Sequence, residues 1–375
     1  MFAFDFRPRT RVVFASGAVH RAGELAHDLG FRRTLVVADA GVRESGYVAA
    51  VTHALEVAGT QTFVFSDFGA NPDSAMVAAG AQFARPLHVD SIVGLGGGSS
   101  LDAAKGVNFL LTNGGSMADY RGYGKVSTPL LPMIGIPTTA GTGSEAQSYA
   151  VISDPDTHTK MACGDPSAAF RIAILDPDLT ATAPRHVTAM AGFDAIAHAV
   201  EAAVTTRRTP LSDLYAQHAW KLLNDAYPRV LVEGADANAR AMMMLGAHFA
   251  GTAIEQSMLG AAHACANPLT ARYGLTHGLA LAILLPHVVR WNGSVAHERY
   301  GALIEARGPD ASETLVRRLE ELRAAGDLPT SLGENGVDPG ALPDLAREAA
   351  AQWTGTFNPR PFDESGALEI YRAAM

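Results

Sequence analysis

Two short stretches carry the residue types best suited to chemistry. In GFDAIAHAVEA (Gly192–Ala202), Asp194 and His198 are four residues apart, so in helical sequence they share one face, as metal ligands on a helix do. Glu201 stands three residues beyond His198 and close to that face. In HACANPLTARYGLTHG (His263–Gly278), two histidines have Asn267, Pro268 and a bend-prone segment between them, and the small residues Ala261, Ala262, Ala264 and Ala266 suit close helix packing. One carboxylate with three imidazoles suits Fe²⁺ or Zn²⁺ and leaves coordination space for a substrate oxygen. The chain has thirteen histidines, and any one of them alone is more readily read as a core or surface residue than as a ligand. The set Asp194, His198, His263 and His277 has meaning only if the fold brings it together.

Two glycine-rich stretches suggest a second kind of ligand. GLGGGSSLDAAKG (Gly94–Gly106) follows strand-like sequence and opens a helix, where bare backbone, free N–H groups and the helix dipole favour a phosphate. It lacks Walker A spacing, and Ser99 occupies the third glycine position of a G-x-G-x-x-G pattern, so a plain tight turn is the competing reading. PTTAGTGSE (Pro137–Glu145) also follows a strand and is dense in glycine and hydroxyls. Two such loops in one sheet fit a long diphosphate ligand such as a dinucleotide. Asp39, after a strand, is placed to accept from a ribose diol and to repel a 2′-phosphate; the alternative is a helix cap or turn residue.

The elements that must position these residues change character along the chain. RTLVVAD (Arg33–Asp39), QTFVFSDF (Gln61–Phe68), DSIVGLG (Asp90–Gly96) and LLPMIGIPT (Leu130–Thr138) read as buried strands separated by helices, hence a parallel sheet. Further short strands are expected around Ser148–Asp154 and Arg171–Pro177, and a helical run from Val19 ends at Gly30. Beyond Pro184 the sequence is rich in Ala, Leu and Met at helical spacing. The expected organisation is an α/β domain over residues 1–183 and an all-helical domain over 184–375.

Composition bounds the function. The 375 residues are 48% hydrophobic and 18% charged, as in a packed globular protein, and the net charge of −9 argues against nucleic acid or an anionic membrane as partner. Two cysteines, Cys163 and Cys265, cannot build a disulfide framework, so a reducing cytoplasm is the expectation. MFAFDFRPRTRVVF lacks a continuous apolar leader core, and runs such as Gly278–Val289 fall short of the ~20 residues of a bilayer span.

With GGGSSLDAAKG, PTTAGTGSE, Lys160 of HTKM, GFDAIAHAVEA, the His263–Gly278 stretch, LLPHV (Leu284–Val288) and NPRP (Asn358–Pro361) in this order, the chain resembles the iron-containing (group III) alcohol dehydrogenase family over almost its whole length. The resemblance implies a Rossmann-like N-terminal domain and an all-α C-terminal domain, the architecture shared with dehydroquinate synthase, with the site between the two. It implies that Asp194, His198, His263 and His277 bind the divalent metal, Fe²⁺ or alternatively Zn²⁺. It places Asp39, Asn71, Gly97, Gly98, Ser99, Asp102, Thr138, Thr139, Thr142, Lys160 and Leu179 along NAD(H), with Asp39 favouring NAD over NADP. The implied reaction is metal-assisted hydride transfer between nicotinamide C4 and a small alcohol or aldehyde, in a homodimer or larger assembly.

Two positions depart from the family pattern. Many members carry a histidine four residues after the first metal histidine of the C-terminal half, where it faces nicotinamide and substrate and is thought to relay the alcohol proton. Here that candidate catalytic position is Asn267, an amide that does not titrate near pH 7. Thr354 stands where members often have cysteine, and Gln147 and Tyr149 are candidates to restrict substrate size. Competing readings are a polyol or polyol-phosphate dehydrogenase, a dehydroquinate-synthase-like lyase, or a silent dinucleotide- or metal-binding protein. A phosphate substrate would call for clustered Lys or Arg in the helical half, where Arg272 is the nearest candidate.

Overall fold

The computed structural model describes residues 6–157 and 159–375, so the N-terminal stretch read for a leader begins outside the described residues. The chain divides into two compact units. One runs through Thr139 and includes Gly143–Ala183; the other comprises Ala140–Thr142 and Pro184–Met375.

The first unit holds strands β1 (Arg11–Phe14), β2 (Arg33–Val37), β3 (Gln61–Phe65), β4 (Ser91–Gly96), β5 (Gly122–Tyr123), β6 (Met133–Pro137), β7 (Tyr149–Ser153), β8 (Lys160–Gly164) and β9 (Ile172–Leu175). Its helices are α1 (Ala22–Asp28), α2 (Ala40–Glu44), α3 (Tyr47–Val57), α4 (Ser74–Ala84) and α5 (Gly98–Asn113). Six strands form a parallel sheet in the order β1-β9-β6-β4-β2-β3. Alternate residues of a strand feed opposite cores: Leu35 and Val37 pack with residues of α4 and α5, Val36 and Ala38 with residues of α1 and α3. Burial on both faces is why these strands read as unbroken apolar runs. From β2 the chain steps to β3 on one side and returns across β2 to β4 on the other, which makes the carboxyl ends of β2 and β4 a topological switch point.

Two features here were not signalled by composition. β1 forms a sheet edge, and the short β8 joins β5 and β7 in a separate three-stranded sheet, antiparallel to β7 and parallel to β5. KMACG alternates small side chains without an apolar run, so nothing local marks β8 as a strand.

The second unit is helical throughout its described length: α6 (Arg185–Ala202), α7 (Pro210–Val232), α8 (Ala237–Glu255), α9 (Ala261–Tyr273), α10 (His277–Ile304), α11 (Ala311–Ala325), α12 (Leu342–Ala350) and α13 (Glu364–Ala373), with short 3₁₀ turns between some of them. Local sequence sets several starts. Thr209 and Ser212 form a capping box with Pro210 at the first helical position of α7, and Asp236 and Asp363 cap α8 and α13. α10 is long and apolar enough to cross a bilayer by length and composition alone, but 61% of that window is buried within the protein, as in a core helix. α9 includes both Asn267 and Pro268, and the bend-prone segment between the two histidines turns at Gly274, in a left-handed conformation (φ 65°), before α10 opens at His277.

Candidate active site

The candidate metal ligands come from three helices of the second unit. Asp194 and His198 lie on α6, His263 in the first turn of α9, and His277 at the start of α10. Ala261, Ala262, Ala264 and Ala266 are fully buried, which lets α9 pack closely enough to deliver His263. Ligand-capable atoms of Asp194, His263 and His277 lie within 4.8 Å of one another. His198 is not one of those three but lies beside them: its Nε2 is 3.3 Å from Asp194 Oδ1, and its ring stacks on that of His263 at 4.8 Å between centroids. His263 Nε2 lies 3.7 Å from the same carboxylate oxygen.

The donor set fits a divalent ion. Asp194 Oδ1 and His263 Nε2 are buried and have no hydrogen-bond partner, an arrangement that is costly unless something electropositive satisfies both. Metal–ligand bonds of about 2.0–2.2 Å put adjacent ligand atoms at this kind of separation. Burial opposes the charge on Asp194, yet the neighbouring imidazoles of His198, His277 and His263 hold its carboxyl well below the usual range. Burial pushes His198 down to about 4, keeping it neutral and able to ligate. His263 goes the other way: burial would lower it, but the Glu201 and Asp194 carboxylates raise it to about 9.

In the first unit, the loops after β2, β3, β4 and β6 gather at the switch point. Gly97 is the N-cap of α5 and brings no side chain to the first turn, leaving backbone N–H groups and the helix dipole for an anion. Gly96 has φ 140°, and a Cβ there would sit 2.5 Å from Ser100 Oγ, so this turn excludes a side chain. Asn71, itself at φ 52°, donates its backbone N–H to Ser99 Oγ at 3.1 Å. Thr138 donates its N–H to Gly96 O, and a Cβ at Gly97 would touch Thr139. Asn71, Gly97, Gly98, Ser99, Thr138 and Thr139 are therefore neighbours, and this bare cradle fits a diphosphate.

Other expected cofactor residues are held differently. Asp39 caps α2, with Oδ1 accepting from Val42 N–H at 3.0 Å, while Oδ2 accepts from Ser100 Oγ at 2.8 Å. It is thus both a helix cap and a neighbour of the glycine loop. Asp102 faces inward: it accepts from Ser144 Oγ at 2.6 Å and Val151 N–H at 3.3 Å, and burial raises its pKa despite Lys105 at 3.8 Å. Lys160 opens β8, and Leu179 is buried in the core beside β9. Thr142 belongs to the three-residue segment that groups with the second unit.

Sequence reasoning did not assign Lys105. Fully buried, its Nζ shares three N–H groups among Ser144 O, Ser144 Oγ, Gln147 O and Tyr149 O at 2.7–3.0 Å, tying α5 to the end of the PTTAGTGSE loop and the start of β7. The signal was available, because lysine occurs only four times in the chain. Among the other candidates, Asn267 is half-buried and donates from Nδ2 to Gln352 Oε1 at 3.1 Å. Thr354 is buried, and Tyr149 packs on Tyr123. Arg272, offered by the sequence to a phosphate substrate, is engaged by Glu348.

Known proteins share this sequence pattern and fold. Residues 8–177 match the family described as iron-containing alcohol dehydrogenase, and residues 188–375 match the C-terminal part of the Fe-containing alcohol dehydrogenase family. An NAD-dependent methanol dehydrogenase of Bacillus methanolicus is 32% identical, over 97% of each chain. A solved 1,3-propanediol oxidoreductase superposes with a TM-score of 0.96 at 31% identity over all of both chains. The sulfoacetaldehyde reductase of Bifidobacterium kashiwanohense, solved with NAD⁺, gives a TM-score of 0.90 at 27% identity over 100% of this chain and 99% of that one.

Proposed function

Because this chain belongs to the iron-containing alcohol dehydrogenase family, we propose that it interconverts small alcohols and aldehydes with NAD(H), using a divalent metal held by Asp194, His198, His263 and His277. The observation that carries this reading is the Asp194–His263–His277 constellation, with Asp194 and His263 buried and His277 half-buried, whose ligand-capable atoms lie within 4.8 Å of one another. When bound there, Fe²⁺ or Zn²⁺ supplies Lewis-acid activation of the substrate oxygen, and the dinucleotide supplies or takes the hydride.

The chain's own residues do the rest. Asp194 brings one negative charge to the group, so a divalent ion on these ligands keeps positive charge toward an anionic oxygen. Residues 1–183 act as the dinucleotide-binding domain: the α5 N-terminus and the loops carrying Asn71, Gly97, Gly98, Ser99, Thr138 and Thr139 bind the diphosphate, with Asp102, Thr142, Lys160 and Leu179 along the cofactor. Asp39 binds the adenosine ribose and disfavours NADPH. Residues 184–375 act as the metal- and substrate-binding domain. Asn267 sits one helical turn after His263, hydrogen-bonds without titrating, and leaves proton release to water or the ribose hydroxyls.

The physiological form is a homodimer or larger assembly in the cytoplasm. β1 is an edge strand whose Val12 and Phe14 are 41% and 40% exposed, the kind of edge that a second chain covers. Both cysteines are free and buried, in keeping with a reducing compartment.

The test is elemental analysis of protein purified without oxygen, together with NADH consumption over short aldehydes. Stoichiometric Fe or Zn and turnover are expected; no metal, and no activity after Fe²⁺ is added, overturns the reading. His277→Ala loses metal and activity together, whereas an active variant with full metal content removes His277 from the ligand set.

A further inference from the structure

The start of α9 is built without a capping residue of its own. Its N-cap is Gly260, which has no side chain, so the first-turn N–H groups must be satisfied from elsewhere. Two distant side chains do this: Asn358 Oδ1 accepts from Ala261 N–H at 3.2 Å, and Glu201 Oε1 accepts from Ala262 N–H at 2.7 Å. A Cβ on Gly260 would lie 3.0–3.1 Å from these same two oxygens, so the bare N-cap is what admits them.

Glu201 does more than cap. Its other oxygen, Oε2, lies 2.5 Å from Nδ1 of His263, and the two residues are only 3% and 4% exposed. A carboxylate facing an imidazole nitrogen at this distance accepts the proton on that nitrogen, which leaves the lone pair on Nε2. Nε2 is the atom directed toward Asp194 Oδ1, 3.7 Å away. One side chain from α6 therefore fixes both the entry of α9 and the tautomer of the histidine in its first turn.

We propose that Glu201 is a positioning residue of the metal centre: it locks His263 as the Nδ1–H tautomer so that Nε2 ligates the divalent ion. This rests on the ligand set proposed above.

Glu201→Gln separates this role from capping. The amide oxygen still accepts from Ala262 N–H, but the amide NH₂ now faces His263 Nδ1. That drives the imidazole proton onto Nε2, where it blocks ligation. The experiment titrates metal-free wild type and E201Q with Zn²⁺ against a competing chelator, and records thermal melting of both without metal. The expected result is about 10- to 100-fold weaker Zn²⁺ binding by E201Q, with metal-free melting unchanged. Equal Zn²⁺ affinity overturns the proposal and leaves the ligand set standing, whereas failure of the wild type to bind Zn²⁺ or Fe²⁺ overturns the ligand set itself. If E201Q does not fold, ¹⁵N spectra of the zinc-loaded wild type decide. A His263 proton on Nδ1, shifted downfield by its carboxylate partner, supports the proposal, and a proton on Nε2 overturns it.

Discussion

At the scale of single residues, the site separates what chemistry dictates from what only coordinates supply. Asp194 and His198 were legible because a four-residue spacing has one geometric meaning on a helix, whereas bringing His263 and His277 to them depends on tertiary packing that no local spacing encodes. Glu201 was seen to lie near the ligand face, but its grip on His263 joins residues sixty-two positions apart and could not be read from the sequence. Asn267 gives the sharpest test at this scale. Asn267→His introduces a titrating group with an ordinary pKa of about 6.5, so the pH–rate profile should gain a step near pH 6–7. The wild-type profile should lack that step, and an unchanged variant profile removes Asn267 from the reacting face. Asp39 needs a gentler change than deletion, because it also caps α2 and accepts from Ser100. Asp39→Asn retains an oxygen for the cap and removes the charge. The preference for NADH over NADPH in kcat/KM should then fall by about tenfold, the equivalent of about 1.4 kcal/mol. An unchanged ratio assigns Asp39 to structure alone.

At the scale of elements, glycine and lysine do work that their sequence context only half reveals. Gly278 follows His277 in the first turn of α10, and a Cβ there would lie 2.1 Å from the Met190 carbonyl oxygen of α6. This bare contact lets α10 approach the helix that carries Asp194 and His198. Gly278→Ala should push the two helices apart, costing about 1–3 kcal/mol and weakening Zn²⁺ binding, as read by melting and metal titration. Full affinity in that variant would show that His277 does not depend on the contact. Lys105 plays the corresponding part in the first unit, where its three N–H groups, shared among four acceptors on Ser144, Gln147 and Tyr149, hold the end of the PTTAGTGSE loop and the start of β7 against α5. Lys105→Met strands those acceptors and leaves Asp102 without its nearby cation, so a loss of about 3 kcal/mol or more is expected, with weaker NADH binding. Unchanged melting and NADH affinity would reduce the network to incidental packing.

At the scale of the whole molecule, the main sheet was legible because strands buried on both faces write themselves as apolar runs: the stretches at Arg33, Gln61, Asp90, Leu130 and Arg171 all contain strands of the six-stranded sheet. The edge strand β1 and the short β8 escaped, since neither has enough buried length to leave such a signature. The helical half was legible from composition, and the turn between His263 and His277 from its bend-prone sequence, with Gly274 as the residue that makes it. The same architecture dictates how metal should affect stability. The candidate ligands come from α6, α9 and α10, so an ion shared among them links three helices of one unit, while none sits on a strand of the sheet. A ligand that binds only the native state stabilises it by about 2.7 kcal/mol when free ligand is a hundredfold over Kd. Stripping the ion with a chelator should therefore speed amide exchange in the middle of α6 and the first turns of α9 and α10 by up to about a hundredfold, with β2, β4 and β6 as the internal reference. Unchanged exchange in those three helices would mean that the ion is not held by them, whatever the activity of the loaded protein.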